Sequence, residues 1–444
     1  MDSPLRILVS AGEASGDLYG ALLIQALRER LGEAEFFGSG GDRMRAAGCR
    51  TLVDARQVAM VGIVEVLPGL PRAWLALRRL RSALRSHPPT LAILIDFPDF
   101  NLRLARELKR SGSPVLYFVA PQVWAWRRGR LATLRRYVDR LLCIFPFEES
   151  FFRDAGVAAE FVGHPLVGRV APTLPSREFR TRFRLPEKAP LIALLPGSRR
   201  REILLNLPPL IETARKLAAE GDACLLFAAG STAAADWIRA SVAKAGCAFP
   251  VIENHTYDAV AHAAAAIVAS GTATIETALL GTPMVVVYRV SRATWWLGHR
   301  LVRTPFYSMV NLVAGRQVVP ELIQAQFQPE MVAREVRQLL ESSQRREQMR
   351  QDLREVAEKL RPPVRSRLER SADSPGDEPA TLLEAREGDQ NADAIQRAVA
   401  VAASLLTGGY VSKAATAPDG NSRFCEKPGQ SVQPVAPAER RWDP

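Results

Sequence analysis

The chain contains two series of short apolar segments, each followed by a loop of small residues and an amphipathic stretch. The first series opens at residues 5–10, Leu-Arg-Ile-Leu-Val-Ser, which lead into Ala-Gly-Glu-Ala-Ser-Gly-Asp and a helical pattern that runs through Arg30. A strand, a small-residue turn and a helix form the opening unit of a doubly wound α/β domain. Further strands are predicted at 91–96, 114–120 and 141–145. This alternation predicts a parallel sheet that is covered on both faces.

The pattern is interrupted once and then restarts. Residues 171–190 contain four prolines among charged side chains, which is typical of a linker. A strand at 191–195 begins the second series, whose further strands are predicted at 223–229, 267–270 and 284–288. We therefore predict two Rossmann-like α/β domains that face a cleft, over residues 1–170 and 185–360.

The C-terminal region has a different composition. Residues 361–388 are rich in Pro, Arg, Glu, Asp and Ser, and we predict a polar, solvated insertion. Residues 391–406 have helical composition, and we predict a helix that crosses back to the first domain. Residues 407–444 hold little apolar content and are expected to form a disordered tail.

Charge and composition limit the partners. The net charge is +12, and residues from 361 onward hold 11 basic and 12 acidic side chains, so the two domains carry all of the excess. This implies an anionic partner, which is a nucleic acid, a phosphorylated substrate or an anionic lipid. The five scattered cysteines and the histidine spacing indicate neither disulfides nor a metal site. No apolar run reaches the ~18 residues of a membrane span and no signal peptide is recognised, so membrane contact is expected to be peripheral.

Two loops of the first domain are candidates for ligand binding and proton transfer. The loop with Glu13 follows the first strand, and the loop with Asp96 and Asp99 follows the second strong strand, where α/β folds bind ligands. A carboxylate there could abstract a proton. The alternative is a tight turn and an Asp cap before a helix that starts near Leu102. A third segment places Trp124 and Trp126 beside Arg127. This cluster could stack on a base and contact a phosphate. Alternatively, the two tryptophans are an aromatic pair at the edge of the core, beside a solvated basic helix.

Two loops of the second domain suit a nucleoside diphosphate. Ser198 and Arg199 end its first strand, and their backbone N–H groups and guanidinium would suit a diphosphate. Gly271 and Thr272 open a helix whose dipole would favour a phosphate. Glu276, one turn further, could accept from a sugar hydroxyl. The alternative for both loops is ordinary β–α turn chemistry.

Two apolar and basic stretches could contact a membrane. The first holds Met60 and Val61, then Trp74 and Leu75 within a basic segment from Arg72 to Arg85, and the second covers residues 293–310. One interpretation is a surface that receives acyl chains at an anionic membrane. The alternative is that these apolar residues belong to the core and the basic ones to a solvent-exposed face.

Ten motifs in this order make the chain similar to the lipid-A-disaccharide synthases, bacterial glycosyltransferases of the GT-B type with two Rossmann domains. They lie at residues 11–17, 60–66, 96–101, 120–127, 145–148, 162–165, 195–199, 269–273, 311–316 and 320–322. The resemblance covers residues 5 to 360 and resumes weakly at 391–406. The insertion and the tail depart from the family pattern without overlapping a motif.

The resemblance implies a hexosyltransferase of lipid A and lipopolysaccharide biosynthesis. UDP-2,3-diacylglucosamine would donate its sugar to 2,3-diacylglucosamine 1-phosphate, without a metal or cofactor, in the cytoplasm at the inner membrane of a Gram-negative bacterium. It also implies that Asn311, Arg316, Glu321 and Gln324 line the donor cleft. Inversion needs one base on the first domain. We predict Asp99 as this base, with Glu13 orienting the acceptor. Glu13 is the alternative base, and Asp96, which is closer to the strand, is expected to be structural.

Other readings remain open at this point. A nucleotide-sugar epimerase of two-domain architecture would lack the apolar acceptor surface, and a non-enzymatic sugar-phosphate-binding regulator would need no base. Release of UDP only when both lipids are present would distinguish the transferase. No nucleic acid is expected, and the oligomeric state is left open, a homodimer included.

Overall fold

Two parallel β-sheets with helices between their strands make up the computed structural model. It describes residues 5–55, 66–125, 127–221, 223–298, 304–363 and 393–407. Most of the predicted insertion and tail therefore lie outside the described residues.

The first sheet and its helices are formed by the N-terminal part of the chain. Its elements are β1 (Leu5–Ala11), α1 (Ala14–Leu31), β2 (Ala34–Gly40), α2 (Asp42–Ala46), β3 (Arg50–Asp54), α3 (Val66–Ser86), β4 (Leu91–Ile95), α4 (Pro98–Arg110), β5 (Val115–Phe118), α5 (Leu131–Tyr137), β6 (Arg140–Cys143), α6 (Pro146–Asp154) and β7 (Ala159–Phe161). The strand order in the described residues is β3-β2-β1-β4-β5-β6-β7, and every pairing is parallel.

A short helix, α7 (Ser176–Arg182), interrupts the predicted linker before the second sheet begins. The elements that follow are β8 (Leu191–Leu195), α8 (Arg200–Glu220), β9 (Cys224–Ala229), α9 (Thr232–Lys244), β10 (Val251–Glu253), α10 (Thr256–Ala261), β11 (Ala265–Ala269), α11 (Thr272–Leu279), β12 (Met284–Tyr288), α12 (Arg292–Gly298), α13 (Met309–Ala314), β13 (Glu321–Ile323), α14 (Pro329–Glu341) and α15 (Ser343–Lys359). The order is β10-β9-β8-β11-β12-β13, again parallel.

The central strands are uniformly apolar because helices cover both faces of each sheet. Every residue of β4, β8 and β11 is buried, which is the pattern of parallel strands without a solvated face. All eight predicted strands are present. The sequence patterns missed β2, β3, β7, β10 and β13.

The chain crosses between the two halves at one place. The backbone N–H of His164 donates to the carbonyl of Leu360 at 2.8 Å, so the outgoing and returning segments are hydrogen-bonded to each other. Gly163 has φ +91°, and a Cβ there would lie 2.8 Å from Pro362. A side chain would therefore be both strained and blocked. Beyond the crossing, α16 (Ala394–Thr407) packs against α1.

Candidate active site

The strand order of each sheet reverses between two central strands, and the loops that follow those strands face one another. In doubly wound folds, ligands bind at this switch point, outside the carboxyl ends of the strands. Glu13 follows β1 and Asp96 follows β4, whereas Arg199 follows β8 and Gly271 follows β11. The Arg199 guanidinium and the Glu13 carboxylate form an ion pair of 2.5 Å. The two switch points therefore belong to one cleft.

Asp96 lies in a strained, half-buried turn on the first-domain side. Asp96 and Phe97 have φ of +44° and +51°, values that non-glycine residues adopt rarely and at a cost of about 1 kcal/mol each. The Asn101 side chain holds this turn by donating to the carbonyls of Ile95 and Asp96. Burial raises the pKa of Asp96 to about 7, the Glu13 carboxylate adds to the rise, and the Phe97 N–H and Arg199 oppose it.

Asp99, the predicted base, is exposed and contacts two arginine side chains. Its helix, α4, begins at Pro98 rather than near Leu102, so Asp99 lies in the first turn. The side chain is 60% exposed, and its Oδ1 accepts from Arg127 at 2.9 Å and also from Arg130. Asp99 Oδ1 is thus occupied by two guanidinium groups in this structure. The assignment of Asp99 as the base stays a prediction.

The loop after β8 uses its own carboxylate where a phosphate was expected. Glu202 Oε2 accepts from the backbone N–H groups of Ser198 and Arg199 at 3.0 and 3.4 Å. Gly197, with φ +122°, permits this because a Cβ there would lie 2.4 Å from the same oxygen. In this state of the loop Glu202 takes up these N–H groups, and their contact with a diphosphate stays a prediction. The Arg199 side chain remains directed into the cleft toward Glu13.

The loop after β11 ends at an open helix N-terminus. Gly271 is the N-cap of α11, and in the described residues no side chain caps this helix. Gly271 and Thr272 are exposed, whereas Thr274 is buried below them. The first N–H groups of a helix have no partner within the helix, and they carry its positive dipole end. This part of the cleft can therefore accept an anion.

Glu276 lies one turn further along α11, where the two halves meet. Its Oε1 accepts from the hydroxyl of Tyr257 on α10 at 3.1 Å. Burial raises the pKa of Glu276, while the hydrogen bond from Tyr257 and the charge of Arg43 on α2 oppose the rise. Burial also raises the pKa of Tyr19 on α1, and the charges of Glu276 and Tyr257 add to it. Groups of the first half thus face Glu276 across the cleft.

Asn311 is buried in the structure rather than lining the cleft. Its amide donates to the carbonyl of Val319 and to Glu321 Oε1, and its oxygen accepts from the N–H groups of Val318 and Val319. Its side chain has no exposed surface. Every polar atom of the amide is bonded within the chain in this structure, and a contact between Asn311 and the donor stays a prediction. It shapes the turn that precedes β13.

The other three residues predicted near Asn311 also make contacts within the second half. Glu321 accepts from the N–H groups of Tyr307 and Ser308, at the start of α13. Gln324, with φ +52°, exchanges two hydrogen bonds with the backbone of Val290.

Arg316 reaches the outer helix α15, where it pairs with Asp352 at 3.0 Å and Glu355 at 3.1 Å. The structure therefore does not bring Arg316 to the switch point. Glu321 and Gln324 support the segment that borders it.

The loop that carries Trp124 is fixed by a buried carboxyl group. Trp124 donates from Nε1 to Glu148 Oε1 at 3.1 Å, and its ring meets Phe147 edge to face. Burial raises the pKa of Glu148 to about 8, against the opposing hydrogen bonds from Trp124 and the backbone. The neighbouring Gln122 contacts Met309 of the second half. This loop therefore spans the cleft beside Asp96.

The residues predicted to meet a membrane divide between surface and core. Trp74 and Leu75 on α3 are 56% and 50% exposed, and Arg78 stacks over the Trp74 ring. Leu77, within the same basic segment of α3, is buried. Trp296 is a second exposed aromatic. Met60, Val61 and Trp126 lie outside the described residues.

Sequence reasoning missed three residues of the cleft. Glu202 lies three residues after Arg199, which is the spacing of a capping box and could have been recognised. Tyr257 and Arg43 carry no such signal, because only the fold brings them to Glu276. Among the described residues, no group of three or more His, Cys, Asp or Glu side chains could hold a metal ion, and no helix is long and apolar enough to cross a membrane.

Solved structures with this arrangement show the fold. The UDP-GlcNAc 2-epimerase from Neisseria meningitidis bound to UDP-GlcNAc is 11% identical, with 80% of this chain and 99% of that chain covered and a TM-score of 0.55. The calicheamicin glycosyltransferase CalG4 is 17% identical, with 81% and 96% covered and a TM-score of 0.50. The predicted fold of two Rossmann-like domains is confirmed.

Sequence comparison identifies the family. The lipid-A-disaccharide synthase of Solibacter usitatus (strain Ellin6076) is 50% identical over 355 residues, which cover 80% of this chain and 93% of that relative. A family model described as lipid-A-disaccharide synthetase matches residues 7–373. The match includes both switch-point loops and the residues that join the two halves. This chain therefore belongs to the lipid-A-disaccharide synthase family of glycosyltransferases.

Proposed function

We propose that the cleft transfers the sugar of UDP-2,3-diacylglucosamine to the 6-hydroxyl of 2,3-diacylglucosamine 1-phosphate. The products are UDP and the β(1→6)-linked lipid A disaccharide 1-phosphate. Family membership supports the reaction. The observation that carries the site assignment is the Glu13–Arg199 ion pair. It joins a loop suited to a sugar hydroxyl with a loop suited to a diphosphate.

The second half binds the donor in this proposal. The UDP diphosphate lies between the Arg199 guanidinium and the α11 N-terminus at Gly271 and Thr272. Charge and a helix dipole then stabilise the anion that leaves. The donor exchanges with Glu13 as the partner of Arg199, which frees Glu13 to orient the acceptor. Glu276 accepts from the ribose hydroxyls, while Ser198 is held beside the phosphates by Glu202.

The first half supplies the base. The acceptor's 6-hydroxyl attacks the anomeric carbon from the face opposite UDP and must lose its proton as it does so. We assign this proton to Asp96 rather than Asp99, because Asp96 adjoins both Glu13 and Arg199 and has a pKa of about 7. A base is most effective when its pKa lies near the working pH. One displacement without a covalent intermediate inverts the anomeric centre, which agrees with a β product.

The lipid chains are received at the surface of the first half. Trp74 and Leu75 are exposed on one turn of α3, and the exposed Arg78, Arg79 and Arg85 lie along the same helix. An interfacial helix has this combination of aromatic, aliphatic and basic side chains. We propose that α3 contacts the anionic inner membrane of a Gram-negative cell. Each arginine near the surface should contribute ~1 kcal/mol at low salt.

One assay tests the transferase against its nearest alternative. The fold alone does not decide, since an epimerase shares it. The purified protein is incubated with UDP-diacylglucosamine, with and without the acceptor, and with a deacylated acceptor. Release of UDP that requires the acylated acceptor supports the proposal. Epimerised donor sugar without acceptor would contradict it.

A further inference from the structure

The hydroxyl of Tyr257 makes a contact that the proposed reaction does not yet use. Its 3.1 Å hydrogen bond goes to Glu276 Oε1. The two side chains come from different helices, α10 and α11, and both are partly buried. One fixed oxygen sets the rotation of the whole carboxylate, so Oε2 has a defined direction. A carboxylate prepared in this way can accept hydrogen bonds from a vicinal diol without first losing rotational freedom.

Tyr257 is held more firmly than its short helix would allow. A helix of six residues is marginal by itself. Asp258, the next residue, is almost fully buried and accepts from the N–H groups of Thr173 and Leu174 at 2.7 Å each and from Thr173 Oγ1 at 2.9 Å. At the other end of α10, His262 Nε2 hydrogen-bonds to the carbonyl of Leu174 at 2.8 Å. The interdomain linker thus ties α10 in place at both ends.

A continuous series of contacts connects the interdomain linker to Glu276. Thr173 and Leu174 hold Asp258, Asp258 fixes α10, and Tyr257 of that helix holds Glu276. The neighbouring His255 completes the arrangement with a 2.9 Å hydrogen bond from its ring to Asp258. Phe would fit the Tyr257 position with the same ring and without the hydroxyl. Removing that one oxygen therefore separates positioning from packing.

We infer that Tyr257 is a positioning residue that orients Glu276 toward the ribose of a nucleoside diphosphate donor. The inference rests on the proposed donor site and adds to it a residue that does not itself touch the substrate. Loss of the hydroxyl should raise the donor KM by about 2- to 12-fold, the scale of one typical hydrogen bond, because Glu276 itself stays in place. It should leave kcat nearly unchanged, because the ribose is remote from the reacting atoms.

A double-mutant cycle tests this with UDP as the probe. Binding of UDP is measured by calorimetry for the wild type, Tyr257→Phe, Glu276→Gln and the double variant. We expect the double variant to bind no more weakly than Glu276→Gln alone, because Tyr257 acts only through that carboxylate. Tyr137→Phe, on a helix of the first half, is the matched control and should bind UDP normally.

A second nucleotide allows the affinities to be compared as a ratio. Such a ratio does not depend on the fraction of the protein that is folded. The ratio of affinities for UDP and 2′,3′-dideoxy-UDP should fall in Tyr257→Phe and reach about 1 in Glu276→Gln. Equal weakening by Tyr257→Phe in both Glu276 backgrounds would overturn the inference and leave the donor site standing. Normal UDP binding by Glu276→Gln would overturn the ribose assignment, and the inference with it.

Discussion

Replacement of Asp96 by Asn should make the protein inactive and more stable. The Asn side chain keeps the size of the carboxyl group but cannot accept the proton of the acceptor hydroxyl. We expect kcat to fall by ~10²–10⁴-fold, the usual contribution of a general base. Stability should rise because the wild-type chain carries a buried carboxyl group whose pKa lies near 7 rather than at 3.8.

The size and sign of the stability change follow from that difference. The unfolded chain releases the Asp96 proton near pH 4, while the folded chain keeps it up to about pH 7. The free energy of unfolding of the wild type therefore decreases as the pH rises from about 4 to about 7. It does not decrease further above pH 7 through this group. A shift of about three pKa units corresponds to roughly 4 kcal/mol at the upper limit. Solvent at the cleft reduces this, and we expect about 2–4 kcal/mol at pH 8.

Urea unfolding at pH 4 and pH 8 measures this difference directly. The Asp96→Asn variant should match the wild type within about 1 kcal/mol at pH 4 and exceed it at pH 8. Asp99→Asn is the matched control, since it removes an exposed ion pair worth about 0–1 kcal/mol and should retain most activity. An Asp96→Asn variant that is active, or whose added stability does not grow with pH, would refute the reasoning. Loss of turnover in Asp99→Asn alone would return the base to Asp99.

Four further outcomes follow from the cleft and its surroundings. Arg199→Ala should lower kcat/KM by about 10- to 150-fold, the loss of a charged hydrogen bond, and initial rates that stay normal would remove Arg199 from the site. In the wild type, kcat/KM should fall about tenfold per pH unit below about pH 7 as Asp96 takes up its proton, so a flat profile to pH 5 would contradict the assignment. Trp74→Ala should weaken sedimentation with anionic vesicles and leave turnover of detergent-dispersed lipids intact, whereas unchanged binding would exclude this face. Gly197→Ala should lower the urea midpoint, because its Cβ would lie 2.4 Å from Glu202, and an unshifted midpoint would show that Glu202 moves freely.

The fold could be predicted because its central strands are continuous apolar runs. Such runs, followed by glycine-containing loops, indicate both sheets and their carboxyl edges without any knowledge of contacts. The strands that were missed are short or mixed in composition. β10 and β13 have three residues each, and β2 ends in Gly-Ser-Gly. Their strand geometry comes from pairing with a neighbour rather than from local pattern.

The site was predictable to the level of loops but not of atoms. Asp96 and Asp99 follow the same strand, and the sequence offers no reason to separate their environments. The separation depends on two residues with positive φ and on Arg127 and Arg130, which reach Asp99 from about thirty residues away. The sequence is also insufficient to describe the surroundings of Asn311. A polar residue in a motif can bind a ligand or its own backbone, and only the hydrogen bonds decide.

In the described residues, the segment from His164 to Leu360 starts and ends at one hydrogen bond. The second half, for which we propose donor binding, is therefore inserted at one point of the first half, and α16 beyond it packs against α1. Segments whose ends lie together can be exchanged or inserted with little change in the host. Recombination at this point would therefore transfer the proposed donor site as a unit. The loops proposed to bind the acceptor and the helix proposed to contact the membrane would stay with the other half.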